Sequence, residues 1–373
     1  MSALAPGLYD VGMLLNLLLG SVVDPSRPDL AAAVSQRLED VSEREWAECL
    51  RCLRNHRIEA PVWSSLLALG LQEAVPRSVA RTLHRAHVTS VIRSTAQMRR
   101  LSRILTALGQ HGIEPVLLKG VALLNSLYPN IGARPCGDID FLVESEAMPT
   151  VDKVIVELGY RHQSETEDAK MYVDRQGVSL DVHHRFKLFE DIEGFDLISE
   201  VTPQFASVPT ISVFEPNALL VHLVFHLRGH RRDMGYFLAW ILDIGLLLNQ
   251  CRSQLEVERI WALMPDRETA ALLSRIIGFF ARETGTDLIE EMPWERNGHP
   301  PLTAREILRI RRRAIWKLER PIAALKLLVR GLNPASAQPL PELRFSDLLR
   351  WPGDVMRERR SVSNTLPSPA RRT

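Results

Sequence analysis

The run GDIDFLVE places two carboxylates one residue apart in an otherwise apolar stretch. Short apolar runs bounded by turn residues are typical of buried strands. Because side chains alternate along a strand, Asp138 and Asp140 share one face, while Ile139, Phe141 and Val143 lie on the other. Two like charges beside apolar packing are costly unless something positive lies between them. This stretch therefore constrains both the fold and the kind of site that it can carry.

Helical and strand-like patterns divide the 373 residues into separate parts. Apolar residues at three-to-four spacing predict helices before residue 113 and again after residue 214. Short apolar or alternating runs between those positions predict a small mixed sheet with helices packed on it, which is an α+β fold. The predicted parts are an N-terminal helical region 1–112, an α/β core 113–214, a helical region 215–292 packing on the core, a C-terminal helical region 293–358, and a disordered tail 359–373.

Local signals place several element ends. Ser42 followed by Glu45 predicts a capping box at a helix start. A long helix is predicted from Arg77 to His111, and Gly112 is its stop signal. Within the core we expect the following order: a strand in IEPVLLKG, a helix in VALLNSLY, a strand in DIDFLVE, a helix in MPTVDKVIVELGY, a hairpin in MYVDRQGVSLDVHHRF, and one or two strands in ASVPTISVFEP.

Composition excludes some classes of protein. Lys and Arg number 46 against 45 Asp and Glu, so a strongly basic nucleic-acid binder is not indicated. Four cysteines are too few for a disulfide scaffold and favour a reducing compartment; the pair Cys49 and Cys52 has no second pair beside it. The apolar run GMLLNLLLGSVV is shorter than the ~18 residues of a membrane span and predicts a core helix. We therefore expect a cytoplasmic protein without a membrane partner.

A third carboxylate stands in the predicted hairpin. In VSLDVHHRF, Asp181 and His183 share the polar face of an alternating strand. If that strand pairs beside the Asp138–Asp140 strand, three carboxylates meet. Such hard oxygen ligands suit Mg²⁺ or Mn²⁺, and two-ion sites stabilise both the attacking and the leaving oxygens of a phosphoryl or nucleotidyl displacement. We predict metal binding by Asp138, Asp140 and Asp181.

A phosphate-binding turn precedes the acidic strand. Lys119 and Gly120 end an apolar strand where a helix begins, and the free N–H groups of a helix start favour an anion. Lys119 adds a positive charge, and Arg134 in the following loop is a candidate for phosphate oxygens. His183 is a further candidate for nucleotide contact. The order of strand, glycine turn, helix, acidic strand and second acidic strand is that of a nucleotidyl transfer site.

The segments VLLKGVALLNSLYPNIGARPCGDIDFLVE, LDVHHRF and LLVHLVFHLRGHRRDMGYFLAWILDIGLLL resemble the uncharacterised nucleotidyltransferase-like family of the polymerase-beta superfold. The resemblance covers about residues 90–250. It implies a nucleotidyltransferase core with Asp138 and Asp140 as metal ligands and Asp181 as the third carboxylate. The superfamily usually has Gly-Ser or Gly-Gly at the turn, whereas this chain has Gly120–Val121.

Together these features predict a metal-dependent nucleotidyltransferase. It would transfer a nucleoside monophosphate, with ATP as the expected donor, to a hydroxyl or phosphate on a protein, peptide or small molecule, releasing pyrophosphate. The alternative is a catalytically inactive module on the same fold that senses nucleotide or binds a partner. A nucleic-acid polymerising enzyme is disfavoured by the near-zero net charge, so nucleic acid is not an expected partner.

Four polar residues in the later helices leave alternatives open. His222, His226 and His230 are spaced by four and share one helix face, where they either contact nucleotide or substrate or have structural roles. A zinc half-site would lack a Cys or Asp partner at ligand spacing. Asp243, in the apolar run LAWILDIGLLL, needs a buried partner, for which His222, His226 and Arg228 are the candidates. The basic run ILRIRRRAIWKLER is interpreted as a solvated helix face rather than a nucleic-acid contact.

Overall fold

The computed structural model describes residues 7–190, 196–284 and 302–303, which belong to the compact unit Met1–Trp316. They form one mixed sheet with helices before, within and after it, which confirms the predicted α+β fold. Apart from residues 302 and 303, the predicted C-terminal helical region 293–358 lies outside the described residues. The predicted tail 359–373 and the basic run also lie outside them.

Seven strands form a single sheet in the order β3-β4-β5-β2-β1-β7-β6. Strands β1–β7 and β2–β5 pair in parallel, and every other neighbouring pair is antiparallel. The strands are β1 (Val116–Leu118), β2 (Ile139–Leu142), β3 (Arg161–Glu165), β4 (Ala169–Val173), β5 (Ser179–His183), β6 (Ile198–Val201) and β7 (Ile211–Phe214). Most of the sheet's buried residues lie on the central strands β1, β2, β5 and β7, and the acidic positions Asp140 and Asp181 lie on the paired strands β2 and β5.

Helices precede the sheet, connect its strands and follow it. The N-terminal helices are α1 (Gly7–Val23), α2 (Pro28–Glu39), α3 (Glu43–Asn55), α4 (Glu59–Ala68) and α5 (Arg77–Gly109). The helices within the core are α6 (Lys119–Ser126) and α7 (Met148–Glu157). The helices after the sheet are α8 (Pro216–Met234), α9 (Leu238–Gln250), α10 (Val257–Leu263) and α11 (Arg267–Phe279).

The apolar run near the N-terminus is a core helix, as predicted. In α1, Leu14, Leu15, Leu18 and Leu19 are at most 1% exposed, and the helix packs against α2, α3, α4 and α9. Burial of apolar surface on this scale is what holds the N-terminal helices to the rest of the unit. Among the residues described, no helix has the length and apolar character needed to cross a membrane.

The predicted helix ends are confirmed at α3 and α5. At α3, the Glu45 backbone N–H donates to Ser42 Oγ (3.3 Å) and the Ser42 backbone N–H donates to Glu45 Oε2 (2.8 Å), which completes the capping box. Helix α5 ends at Gly109, and Gly112 just beyond it has a φ of +69°, a conformation that favours glycine. Local sequence signals were sufficient at both ends.

Two strands were not predicted, β3 and β6, and both are edges of the sheet. The sequence of β3, RHQSE, is polar and every residue in it is exposed, so it lacks the alternation by which strands are recognised. The sequence of β6, ISEV, has no buried residue. Edge strands with polar surfaces avoid pairing with other chains, which explains why their sequences resemble loops.

The carboxylate of Glu215 fixes the start of α8 directly after β7. It accepts backbone N–H groups from Asn217 (2.9 Å) and Ala218 (3.0 Å), and Arg259 Nε donates to it at 3.2 Å. A carboxylate satisfying the first N–H groups of a helix is also favoured by the helix dipole. Helix α8 is thereby held against the strand from which it emerges.

The capping box supplies a direct stability test. Ser42→Ala removes the side-chain acceptor of the Glu45 N–H, so we expect the free energy of unfolding to fall by about 1 kcal/mol. Urea denaturation of the purified protein measures it. Ser35→Ala, within α2 rather than at its start, is the control and should change stability little. Equal losses in both variants would contradict a capping role for Ser42.

Candidate active site

Strand pairing places two of the predicted carboxylates side by side. Asp140 on β2 lies opposite Asp181 on β5 and opposite Leu118 on β1. Asp138 precedes Asp140 by two residues and the charge of each acts on the other. Asp140 is 3% exposed, while Asp138 and Asp181 are half-buried. The chain therefore gathers three acidic residues at the middle of the sheet, which sequence spacing alone could only suggest.

The crowding of these carboxylates affects the pKa of Asp138. Burial and the neighbouring charge of Asp140 raise the pKa of Asp138 to about 6, although Lys119 and Arg134 act in the opposite direction. A carboxyl group with this pKa gains a proton more readily than an ordinary aspartic acid. The site consequently favours a positive charge beyond those already beside Asp138.

Lys119 already provides one such charge. Its Nζ lies 2.8 Å from Asp140 Oδ1. Burial acts to lower the pKa of Lys119, but Asp140, Asp138 and Asp181 outweigh it and the pKa is raised. Lys119 is thus a charged ammonium that pairs with Asp140, and the charges of Asp138 and Asp181 also favour its protonated form. Its backbone has a φ of +47°, a left-handed conformation that costs a non-glycine residue about 1–3 kcal/mol.

Gly120 makes room for a guanidinium group. A Cβ at this position would lie 2.9 Å from Arg134 Nη1, closer than such contacts normally are. The phosphate-binding role predicted for Gly120 stays a prediction. What the structure adds is a packing requirement, because any larger residue at the start of α6 would displace the Arg134 side chain.

The partner predicted for Asp243 was wrong. Arg134 donates from Nε to Asp243 Oδ1 and from Nη2 to Oδ2, both at 2.8 Å, and the Tyr128 hydroxyl donates to Oδ1 at 2.7 Å. Asp243 is 2% exposed. Arg228, one of the predicted partners, pairs with Asp266 instead. The planar guanidinium matches both carboxylate oxygens at once, which neither a histidine ring nor a lysine can do.

This pairing bears on the predicted phosphate contact of Arg134. Two of the three guanidinium nitrogens are committed to Asp243, and Nη1 lies 3.8 Å from Cys136 Sγ. A phosphate contact through Nη1 stays a prediction. The charge of Arg134 nevertheless reaches Asp138, whose pKa it lowers.

The histidines of α8 lie on the side of the sheet that carries the carboxylates. Burial and the Lys119 charge lower the pKa values of His222 and His226 well below the usual value, and they lower that of His183 to about 4. All three rings are therefore neutral near pH 7. The His222 ring centroid lies 5.1 Å from that of Phe186 and 5.7 Å from that of Phe214. His222 on α8 is thus packed among aromatic side chains of β7 and of the segment after β5.

His222 is the most buried of the three histidines on α8. It is 5% exposed, and within the described part of the chain neither of its ring nitrogens has a hydrogen-bond partner. A buried polar group without a partner costs about 1–3 kcal/mol. His230 at the other end of the row is exposed, with its ring centroid 4.6 Å from that of His226. The three histidines therefore extend from the buried position of His222 to the exposed position of His230.

The N-terminal helices supply two basic residues that the sequence prediction missed. Arg57 lies between α3 and α4, and Arg93 lies on α5. Burial lowers the pKa of Arg57, the charge of Asp138 acts in the opposite direction, and the charge of Arg93 lowers the pKa as well. Neither arginine stands in a recognisable motif. Their distance in sequence from Asp138 left no signal by which they could have been found.

Several hydrogen bonds attach those helices to the loop before β2. Asn130 Nδ2 donates to Ser64 Oγ at 2.7 Å, and Ser94 Oγ donates to the Arg134 carbonyl at 3.1 Å. The loop containing Arg134 is consequently held between α4, α5 and α9 rather than exposed on a surface. The N-terminal helical region forms one wall of the site.

The donor set suits a divalent ion. Three carboxylates at one place are the hard oxygen ligands that Mg²⁺ and Mn²⁺ prefer, and here they already stabilise one cation, the Lys119 ammonium. As residues 7–190, 196–284 and 302–303 are arranged here, no three or more His, Cys, Asp or Glu side chains form a ready-made metal site. The described arrangement therefore has Lys119, and not a ready-formed metal cage, beside Asp140.

Of the four cysteines, Cys136 contacts the site through Arg134, whereas Cys49 and Cys52 lie on the inner face of α3. All four are buried, and no disulfide joins any of them in the described part of the chain. Burial raises the pKa of the Cys49 thiol, which makes it less reactive. The pair has a structural position in the core.

The sequence model of the family described as "Uncharacterised nucleotidyltransferase" matches residues 42–281, more than half of the chain. The chain belongs to this family. The match extends from α3 to the end of α11 and so includes the N-terminal helices that carry Arg57 and Arg93. By family, the protein is a nucleotidyltransferase enzyme. No curated protein matches the sequence.

Three solved structures have low similarity to the chain. The antibiotic-resistance factor ANT(2'')-Ia has 17% identity and a TM-score of 0.38, covering 49% of this chain and 94% of that one. The lincosamide antibiotic adenylyltransferase LnuA, in a lincomycin-bound structure, has 18% identity and a TM-score of 0.30, covering 40% and 94%. A nucleotidyltransferase-like protein from Paracoccidioides brasiliensis has 14% identity and a TM-score of 0.30, covering 43% and 77%. Similarity at this level says nothing about the acceptor.

Asp243→Asn tests the buried pair with Arg134. It leaves a buried guanidinium without its counter-charge, so we expect the free energy of unfolding to fall by about 3–5 kcal/mol. Chemical denaturation measures the loss. Glu190→Gln, which weakens an exposed pair with Arg185, is the matched control and should cost under about 1 kcal/mol. A loss of that small size for Asp243→Asn would contradict a structural role for the buried pair.

His222→Phe tests whether the two buried ring nitrogens of His222 destabilise the protein. Phenylalanine has a similar shape and removes two buried polar atoms, so we expect an increase in stability of about 1 kcal/mol. The melting temperature without ligand measures it. His162→Phe on the exposed edge strand β3 is the control and should give no gain. A marked loss at position 222 would mean that the nitrogens are satisfied in solution.

Proposed function

We propose that this protein transfers a nucleoside monophosphate, AMP from ATP in the form we favour, to a hydroxyl or phosphate acceptor. The observation that carries the proposal is the register of β2 and β5. It sets Asp140 beside Asp181, with Asp138 on the same face and Lys119 at the adjoining turn. Membership of the nucleotidyltransferase family supports the same reaction type.

Each residue has a proposed role in the reaction. An acceptor oxygen attacks the α-phosphorus of the nucleotide, the bond from the α-phosphorus to the bridging oxygen breaks, and pyrophosphate leaves. Asp181 orients the acceptor or takes its proton. Lys119 and the N–H groups at the start of α6 hold phosphate oxygens, and they act by position and charge. His183, on the same strand face as Asp181, lies where a nucleotide contact is possible.

Asp138, Asp140 and Asp181 would hold Mg²⁺ or Mn²⁺. When bound, such ions neutralise the charge that builds up on the phosphate oxygens. Because Lys119 is paired with Asp140, the lysine must share or release that carboxylate when a phosphate chain arrives. The acceptor pocket is proposed to lie beneath α8, where His222 packs against Phe186 and Phe214.

Substitution of the carboxylates tests the proposal. With Mg²⁺ present, we expect the protein to bind ATP, and Asp140→Asn and Asp181→Asn to lower the rate of pyrophosphate release by about 10²-fold or more. Calorimetry measures binding, and pyrophosphate release is measured across a panel of peptide and small-molecule acceptors. Asp29→Asn, an exposed carboxylate on α2, is the control and should retain full activity.

The same experiment distinguishes the alternative. ATP binding that does not depend on Mg²⁺, with no pyrophosphate released for any acceptor, would favour an inactive nucleotide-sensing or partner-binding module. Failure of the wild-type protein to bind any nucleoside triphosphate would contradict the transferase and the nucleotide-sensing module, and would favour the partner-binding module.

A further inference from the structure

A buried ion pair occupies the middle carboxylate of the acidic site. Asp140 is the neighbour of both other acidic residues, since Asp138 precedes it by two residues and Asp181 lies opposite it on β5. Asp140 is 3% exposed, and its Oδ1 lies 2.8 Å from Lys119 Nζ. A cation bound jointly by the three carboxylates must share Asp140, so it meets the Lys119 ammonium there.

The backbone conformation of Lys119 lets its side chain reach Asp140. Leu118, at the end of β1, is the register partner of Asp140, and residues directly opposite each other in a sheet point to the same face. Strict alternation would then put residue 119 on the other face. Instead Lys119 has a φ of +47° at the start of α6, which breaks the alternation, and its ammonium lies beside Asp140. Strained backbone of this kind persists where the surrounding structure enforces it, and here it brings a charge to the acidic site.

Lys119 and a divalent ion would use the same carboxylate. Both are positive, and charges a few ångströms apart interact strongly in a buried site because water screens them poorly. While Lys119 is paired with Asp140, a divalent ion that arrives alone must displace the ammonium or lie against it. A triphosphate changes this balance, because its oxygens offer the ammonium another negative partner.

We propose that Lys119 competes with the divalent ion for Asp140, so that the site binds the ion weakly without nucleotide and more tightly with it. The inference rests on the proposed function and deepens it, because it couples the binding of the two ligands. Lys119 exchanges Asp140 for the phosphate oxygens, and Asp140 is then available to the ion. Because linkage is reciprocal, the ion strengthens nucleotide binding by the same factor, about tenfold.

Substitutions of Lys119 test the competition with Mn²⁺ as the probe and without nucleotide. Lys119→Met and Lys119→Gly remove the ammonium, and glycine also removes the backbone strain, so we expect both to bind Mn²⁺ about tenfold more tightly than the wild type. Lys119→Arg keeps the charge and should stay within about twofold of the wild type. Lys170→Met is the control, because it removes a Lys–Asp pair of 2.7 Å with Asp152, outside the acidic site, and should change nothing. Electron paramagnetic resonance measures free Mn²⁺ in each titration.

Melting temperatures measure the coupling to nucleotide. For the wild type we expect Mg²⁺ with ATP to raise the melting temperature by more than the sum of the rises that each gives alone. For Lys119→Met we expect a lower melting temperature than the wild type in EDTA, since the carboxylates lose their counter-charge, and a clear rise with Mg²⁺ alone. A neutral variant that is unfolded in EDTA and folds when Mn²⁺ is added would support the inference equally.

Wild-type affinity for Mn²⁺ in both neutral variants would overturn the inference. So would a gain for Lys119→Arg as large as that for Lys119→Met, merely additive effects of Mg²⁺ and ATP on the wild type, or neutral variants that stay unfolded with Mn²⁺. The proposed function is judged separately, by pyrophosphate release from the wild type. If no acceptor supports release but the neutral variants bind Mn²⁺ more tightly, the competition stands and the transferase function fails. If release is observed and the Mn²⁺ affinities are unchanged, only the competition fails.

Discussion

The buried pair between Arg134 and Asp243 is the interaction on which the rest of the site depends. It joins the loop before β2 to α9 with two hydrogen bonds of 2.8 Å, and Tyr128 adds a third to the same carboxylate. Gly120 leaves space for the guanidinium at the start of α6. Because the pair is buried, separating its charges is strongly unfavourable. The loop before β2, the start of α6 and α9 therefore keep one relative position.

Next to this buried pair, strand pairing in the sheet positions the carboxylates. Parallel pairing of β2 with β5 puts Asp140 beside Asp181, and the repulsion between acidic groups is offset by Lys119 at a distance of 2.8 Å. The strain of Lys119's left-handed backbone is the cost of bringing its ammonium there. Neutral histidines on α8 cover the site without adding charge. The result is an acidic centre that already holds one cation.

Much of this could be predicted from local patterns. The capping box at Ser42, the end of the long helix before Gly112 and the hairpin that carries Asp181 follow from short-range rules. The polar edge strands β3 and β6 could not be predicted, because they have no buried face to produce alternation. For Asp243 the sequence signalled the need for a partner. It did not signal which one, since Arg134 is 109 residues away.

The sequence by itself indicated the nucleotidyltransferase family, and it predicted that Asp138 and Asp140 share one face, because side chains alternate along a strand whatever the rest of the chain does. Only the tertiary structure decided which cations face them. Arg134 pairs with Asp243, and Lys119 pairs with Asp140. The charges of Arg57 and Asp138 influence each other, although Arg57 lies in the N-terminal helical region. The reason is physical. Charge pairing in a buried site depends on distance in space and on the desolvation of each group, and neither quantity can be computed from spacing along the chain.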